Sequence, residues 1–210
     1  MSGWLLLAAA GVAGVAYGPE LVGLYQLGRQ IETIAQEDNL LGGTWPRHSD
    51  ACMYCHGFEG NSRSQVYPRL AGQPEAYLRK QLKDFAGGER SDPTMTPMAL
   101  SMSEREMESL VSHFSKMKPA PNATFQGDRE RLARGEALAK AGNCVACHGQ
   151  QLEGQGEFPR IAGQGYDYLR DQLMHFKSGV RRDSTGAMQA VTSQLSQQDI
   201  EDVAQYAASR

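Results

Sequence analysis

The sequence predicts a duplicated helical chain: two small homologous domains in tandem behind an apolar N-terminal segment. Three observations carry this. Residues 48–118 and 128–210 repeat one another motif by motif. Apolar residues recur at helical spacing, as at Leu24, Leu27, Ile31 and Ile34. Met1 to Pro19 holds no charged side chain.

The 210 residues suffice for one medium domain or two small ones. Lys and Arg number 21 against 24 Asp and Glu, a net charge of -3 that gives nucleic-acid binding no support. Apolar residues make up 40% and charged residues 21%, so the chain reads as globular rather than disordered.

The first element is residues 1–28. A membrane span needs about 20 apolar residues and a signal-peptide core about 7–15. The run from Gly3 to Gly18 lies between the two, and no Lys or Arg precedes it, which favours a retained anchor helix. Gly14-Val15-Ala16 also offers a small-x-small cleavage site, so a cleaved signal is the alternative. Ala10, Gly14 and Gly18 stack at i+4 into a shallow ridge on which another membrane helix can pack. Pro19 and Glu20 open a second helix to about Gln36, and Gly42-Gly43 and Pro46 end it. Residues 29–47 are thus helix and linker.

The repeat follows. Cys52-Met53-Tyr54-Cys55-His56-Gly57 matches Cys144-Val145-Ala146-Cys147-His148-Gly149. Tyr67-Pro68-Arg69-Leu70-Ala71-Gly72-Gln73 matches Phe158-Pro159-Arg160-Ile161-Ala162-Gly163-Gln164, and Tyr77 to Leu82 matches Tyr168 to Leu173. Phe85, Asp92 and Ser103 have counterparts in Phe176, Asp183 and Ser196, the serines opening a terminal helix in each copy. Domain 1 is therefore 48–118 and domain 2 is 128–210, with Pro119 and Pro121 marking a 119–127 linker. Domains this small rarely build a sufficient core alone, so each copy needs a staple.

Cys-x-x-Cys-His is that staple. It reads as covalent attachment of haem c, with both thiols joined to the ring and the adjacent His on the iron. Two copies, Cys52/Cys55/His56 and Cys144/Cys147/His148, use all four cysteines and predict two haems. Zinc fits less well, because a His directly after the second Cys is poorly placed to join that pair on one tetrahedral ion. A redox Cys-x-x-Cys would not need the His twice.

The distal ligand decides what such a site does: a methionine closes the iron and raises its potential. Met188 stands seven residues before Leu195-Ser196, and the same count back from Met102-Ser103 gives Met95, with Met98 the alternative. A carbonyl at Pro68 or Pro159 would suit the second ring nitrogen of each histidine. Arg69 and Arg160 are candidates for pairing with haem propionates.

These motifs resemble the dihaem cytochrome c4 family over residues 48–208. The resemblance implies an all-α fold of two tandem class I cytochrome c domains; the N-terminal membrane-anchor helix read from residues 1–28 departs from the family, whose members are often cleaved to a soluble form. The resemblance implies His56/Met95 and His148/Met188 ligation. It implies an electron carrier, not an enzyme, in the periplasm; the retained apolar start would hold it at the bacterial inner membrane. Its partner would be a membrane redox complex, either a terminal haem-copper oxidase or a quinol-oxidising complex. A cytochrome subunit of a membrane-bound dehydrogenase and a dihaem peroxidase or thiosulfate-oxidising enzyme are the alternatives.

Overall fold

A computed structural model describes residues 48–210 together with Val22, Tyr25, Gln26, Gly28 and Arg29. The 1–28 anchor, its small-residue ridge and the 20–36 helix lie almost wholly outside the described residues. Among those described, no helix is long and apolar enough to cross a membrane.

The first copy begins with α1 (His48–His56), which runs through the cysteine motif. Then come α2 (Glu75–Gly87), α3 (Met95–Ser101) and α4 (Glu104–Lys116). The second copy holds α5 (Arg129–Ala141), α6 (Cys144–His148), α7 (Tyr166–Ser178), α8 (Ala187–Ser193) and α9 (Gln197–Ala208). Among the described residues, the only strand-type pairing is one isolated bridge, Gln155 with Phe158.

Local chemistry sets the helix ends. The serines that the repeat aligned build matching capping boxes, Ser103 with Glu106 and Ser196 with Asp199. Each hydroxyl accepts from the third helical N–H while the acid accepts from the serine N–H. The middle helices α2 and α7 both stop at a left-handed glycine, Gly88 (φ 82°) and Gly179 (φ 77°).

Each terminal helix carries its copy's core. Leu110, Val111 and Phe114 of α4 pack with Leu78 of α2. Ala204, Ala207 and Ala208 of α9 pack with Leu152, Ala162 and Leu169. In the second copy α5 lies close along α9, because a Cβ on Gly135 would overlap the carbonyl of Asp202. Asp202, 1% exposed, is held by Arg134 Nε at 2.7 Å. Its partner therefore comes from the neighbouring helix, which is what a buried carboxylate requires.

The 119–127 linker is bonded to the first copy rather than loose. Ala120 N donates to Asn61 Oδ1, and Gln65 Nε2 donates to Asn122 Oδ1 and Thr124 Oγ1. Residues 48–210 accordingly form one compact unit.

Candidate haem sites

The two histidines are the best-defined parts of the site. His56 and His148 are each 7% exposed. Each Nδ1 bonds the carbonyl of the proline named above: His56 to Pro68 O at 2.7 Å and His148 to Pro159 O at 2.8 Å. A carbonyl only accepts, so Nδ1 carries the proton and Nε2 keeps its lone pair. Burial pushes both imidazoles below their ordinary value, against the opposing pull of those carbonyl bonds and, at His56, of Asp92. Each ring is therefore held neutral, in the tautomer and orientation a metal ligand needs.

In the first copy His56 opens onto a cavity of about 370 Å³, lined also by Cys52, Cys55, Leu78, Phe85 and Phe114. Met95, Met98 and Met102 all line it, so the fold brings both candidate thioethers to the same cavity. In the second copy Cys144 and Val145 pack against the core cluster of Leu152, Ala162 and Leu169. Met188 is half-buried near the start of α8. Burial raises the Cys52 and Cys144 thiols above the usual value, the reverse of a reactive redox thiolate. Among the described residues no cluster of three His, Cys, Asp or Glu is placed to hold a metal ion, so the two cysteine pairs are not gathered on one zinc.

The aligned aspartates fasten the methionine loops. Met95 N donates to Asp92 Oδ1 at 2.8 Å, and Met188 N donates to Asp183 Oδ2 at 2.9 Å. Burial alone would raise the Asp183 carboxyl. The Thr185 hydroxyl and the N–H groups of Met188, Thr185 and Ala187 outweigh it and hold the carboxyl below the usual range. In the sequence alone these aspartates are matching positions and nothing more.

The two arginines differ. Arg69, 8% exposed, spends its guanidinium on Ala120 O (2.7 Å), Gly163 O (3.3 Å) and Asn61 Oδ1 (3.3 Å). It ties the linker and the second copy to the first. Arg160 makes no such bonds with its guanidinium among the described residues. Burial lowers both, Arg69 further through Arg160, while Glu153 opposes the shift at Arg160.

Further residues, outside both haem motifs, shape the site. Tyr168, Gln172 and His175 of the second copy help line the first copy's cavity. Arg90 reaches from the first copy to Tyr168 Oη (3.1 Å) and Gln172 Oε1 (3.0 Å). Arg181 reaches back to Gln81 Oε1 (2.8 Å) and Tyr77 Oη (3.5 Å). The matched Tyr-Leu-Arg-x-Gln-Leu segments were the available signal. A crossing between copies leaves no separate mark in either one.

Paired thiols, a neutral histidine with Nε2 available and a thioether at an apolar cavity fit covalent haem c. Such a group supplies one-electron chemistry when bound; the chain's part is to attach it, ligate it and keep water away.

The cytochrome c family matches residues 132–209. The chain is 36% identical over 167 residues to cytochrome c4 of Thiocapsa roseopersicina, covering 74% of this chain and 84% of that protein. It is 38% identical over 169 residues to a thiosulfate dehydrogenase electron acceptor of Stutzerimonas stutzeri, covering 75% and 78%. The crystal structure of reduced recombinant cytochrome c4 from Pseudomonas stutzeri superposes with a TM-score of 0.71 at 31% identity, covering 77% of this chain and 94% of that one. With two haem motifs in a helical fold of this likeness, the chain belongs to the cytochrome c4 family, whose members bind haem c covalently and carry electrons rather than catalyse.

Proposed function

We propose that this chain is a dihaem electron carrier of the periplasm, with His56/Met95 and His148/Met188 as the iron ligands. It is tethered through its N-terminal segment and exchanges electrons with a membrane redox complex, giving them to a terminal haem-copper oxidase or taking them from a quinol-oxidising complex. The observation that supports it most is the recurrence, in both copies, of a carbonyl-fixed neutral histidine together with a methionine loop fastened by an aspartate. Two closed irons suit a shuttle. An enzyme would need one exchangeable position. Arg160 is the freer of the two arginines to meet a propionate.

The test is intact mass together with spectra of the native protein. Two added haems, a Met–iron charge-transfer band from each, and no carbon monoxide binding to the ferrous form are expected. One open iron would replace the carrier reading with an enzymatic one. Met95→Ala against Met98→Ala then fixes the first ligand: only the true ligand's loss opens that iron.

A second reading concerns the electron donor. A relative of this chain is named as the electron acceptor of thiosulfate dehydrogenase, so a dehydrogenase of that kind is the donor class to try. Rapid reduction of the oxidised chain by such an enzyme with thiosulfate supports it; reduction no faster than by thiosulfate alone removes it.

A further inference from the structure

Each proximal histidine is bonded to one end of a peptide group whose other end is held by the opposite copy. The Pro68 carbonyl accepts from His56 Nδ1 at 2.7 Å. The N–H of that same peptide, belonging to Arg69, donates to Gln164 Oε1 at 2.7 Å. Gln164 completes the clasp by donating from Nε2 to Arg69 O at 3.0 Å. The second copy repeats the pattern. His148 donates to Pro159 O at 2.8 Å, Arg160 N donates to Gln73 Oε1 at 3.0 Å, and Gln73 Nε2 donates to Arg160 O at 2.8 Å. Gln73 and Gln164 are each 4% exposed, so water does not compete freely for either clasp.

We propose that Gln164 and Gln73 are crossed positioning residues: Gln164 tunes the potential of the haem ligated by His56, and Gln73 tunes that of the haem ligated by His148. A peptide group is polarisable as a unit. When its N–H donates, its carbonyl oxygen becomes more negative and a stronger acceptor, the cooperative effect of hydrogen bonds in chain. A stronger acceptor on Nδ1–H gives the imidazole more anionic character and makes Nε2 a more basic ligand. A more basic ligand favours the ferric state and lowers the potential. Each domain thereby sets part of the other's potential through three groups in line: glutamine amide, peptide, imidazole. The inference rests on the histidine ligation proposed above.

The test uses the full holoprotein carrying Gln164→Leu. Both haems are titrated potentiometrically, with their signals assigned by NMR through the rings of His56 and His148. The expected result is an upward shift of the His56 haem, an unmoved His148 haem, and a His56 Nδ1 proton resonance that reports a weaker bond. Gln73→Leu should give the mirror image. Gln164→Glu gives up the Nε2 bond to Arg69 O but keeps an acceptor for Arg69 N–H, a stronger one when ionised, so the His56 haem should shift downward. Equal shifts in both haems, a shift confined to the substituted copy, or the same direction for Leu and Glu would overturn the proposal. If Gln164→Leu fails to load both haems, the Glu variant and Gln73→Leu decide it by the same criteria. A wild-type spectrum lacking two histidine-ligated haems overturns the functional reading and this inference with it. Unmoved potentials in variants whose spectra show both histidine ligands overturn the inference alone.

Discussion

In the turn after the haem motif the first copy places Gly60 and the second places Leu152, both at positive φ (75° and 60°). Their carbonyls do the same work. Gly60 O accepts from Leu70 N and Ala71 N, and Leu152 O accepts from Ile161 N and Ala162 N. Their side chains do not. A Cβ on Gly60 would stand 2.9 Å from the ring of Phe114, itself 3% exposed on α4, and 2.9 Å from the backbone nitrogen of Ala71. The residue of α9 that matches Phe114 is Ala207, and there Leu152, 2% exposed, belongs to the same apolar cluster. The first copy fills this space from the helix and the second fills it from the turn. A left-handed leucine costs roughly 1–2 kcal/mol, less than or comparable to the ~1.5–3 kcal/mol that its burial contributes. Duplicated domains can thus keep a backbone pattern while the volume moves from one side of a contact to the other.

The sharpest way to break this comparison is to empty the first copy's side of it. Phe114→Ala should cost about 3–5 kcal/mol, read as a lower denaturation midpoint of the holoprotein. Adding Gly60→Leu should recover part of that loss, less the cost of shifting the turn off the Ala71 nitrogen, since the leucine takes the place Leu152 holds in the second copy. Leu152→Gly should cost less than Phe114→Ala, because relief of the left-handed strain offsets some of the cavity. A double variant no more stable than Phe114→Ala would show that the two turns are not interchangeable.

The repeat itself was legible from sequence, and so were the capped helix starts at Ser103 and Ser196. Motif and periodicity are local, and they survive folding unchanged. The proline carbonyls offered to the histidines were also legible, since the chemistry of a ligating imidazole asks for one. What was not legible depends on which copy a side chain faces. Gln73 and Gln164 each end a matched Pro-Arg-[Leu/Ile]-Ala-Gly-Gln string, and nothing in either string says that each clasps the other copy. Arg69 and Arg160 align, yet only Arg69 meets the linker carbonyl of Ala120, because the linker meets the two copies differently: Ala120 faces Arg69 and Asn61 of the first, while Asn122 and Phe125 meet Gln164 O and Tyr166 of the second. Spacing singles out Met95 by its match to Met188, yet α3 turns Met98 toward the same cavity, a placement the sequence does not mark.

The arginine pair supplies the next, smaller effect. Arg69→Ala removes the guanidinium from Ala120 O, Gly163 O and Asn61 Oδ1 and leaves part-buried carbonyls without that donor. About 1–3 kcal/mol of stability should be lost, seen in denaturant unfolding of the intact chain. Arg160→Ala has no such bonds to lose and should leave the midpoint closer to wild type. Equal losses would mean that the linker contacts of Arg69 contribute nothing of their own.

The finest difference between the copies lies at the tyrosines that cross the interface. Tyr77 and Tyr168 are matched residues, each met by an arginine of the other copy, but the meetings are unequal. Arg90 approaches Tyr168 Oη to 3.1 Å, whereas Arg181 stands 3.5 Å from Tyr77 Oη. Burial disfavours both phenolates. At Tyr168 the charges of Arg90 and Arg181, with hydrogen bonds from Arg90 and Tyr77, outweigh it and bring the pKa down to about 8. At Tyr77 burial prevails, reinforced by the neighbouring Tyr168, and the pKa is raised. A phenol whose folded pKa lies below its unfolded value of about 10 stabilises the fold only as its anion. That contribution is absent below about pH 8 and grows as the pH rises from there toward 10. Tyr77 acts in the opposite sense, being stable as the neutral phenol and losing that advantage as the solution turns more alkaline than its ordinary value. An ultraviolet difference titration of the holoprotein should therefore show one phenolate forming ahead of the rest. Tyr168→Phe should abolish that early step, and Tyr77→Phe should leave it in place. Loss of the early step in both variants would mean that the pair titrates as one unit, and that the two copies are equivalent at the place where they touch.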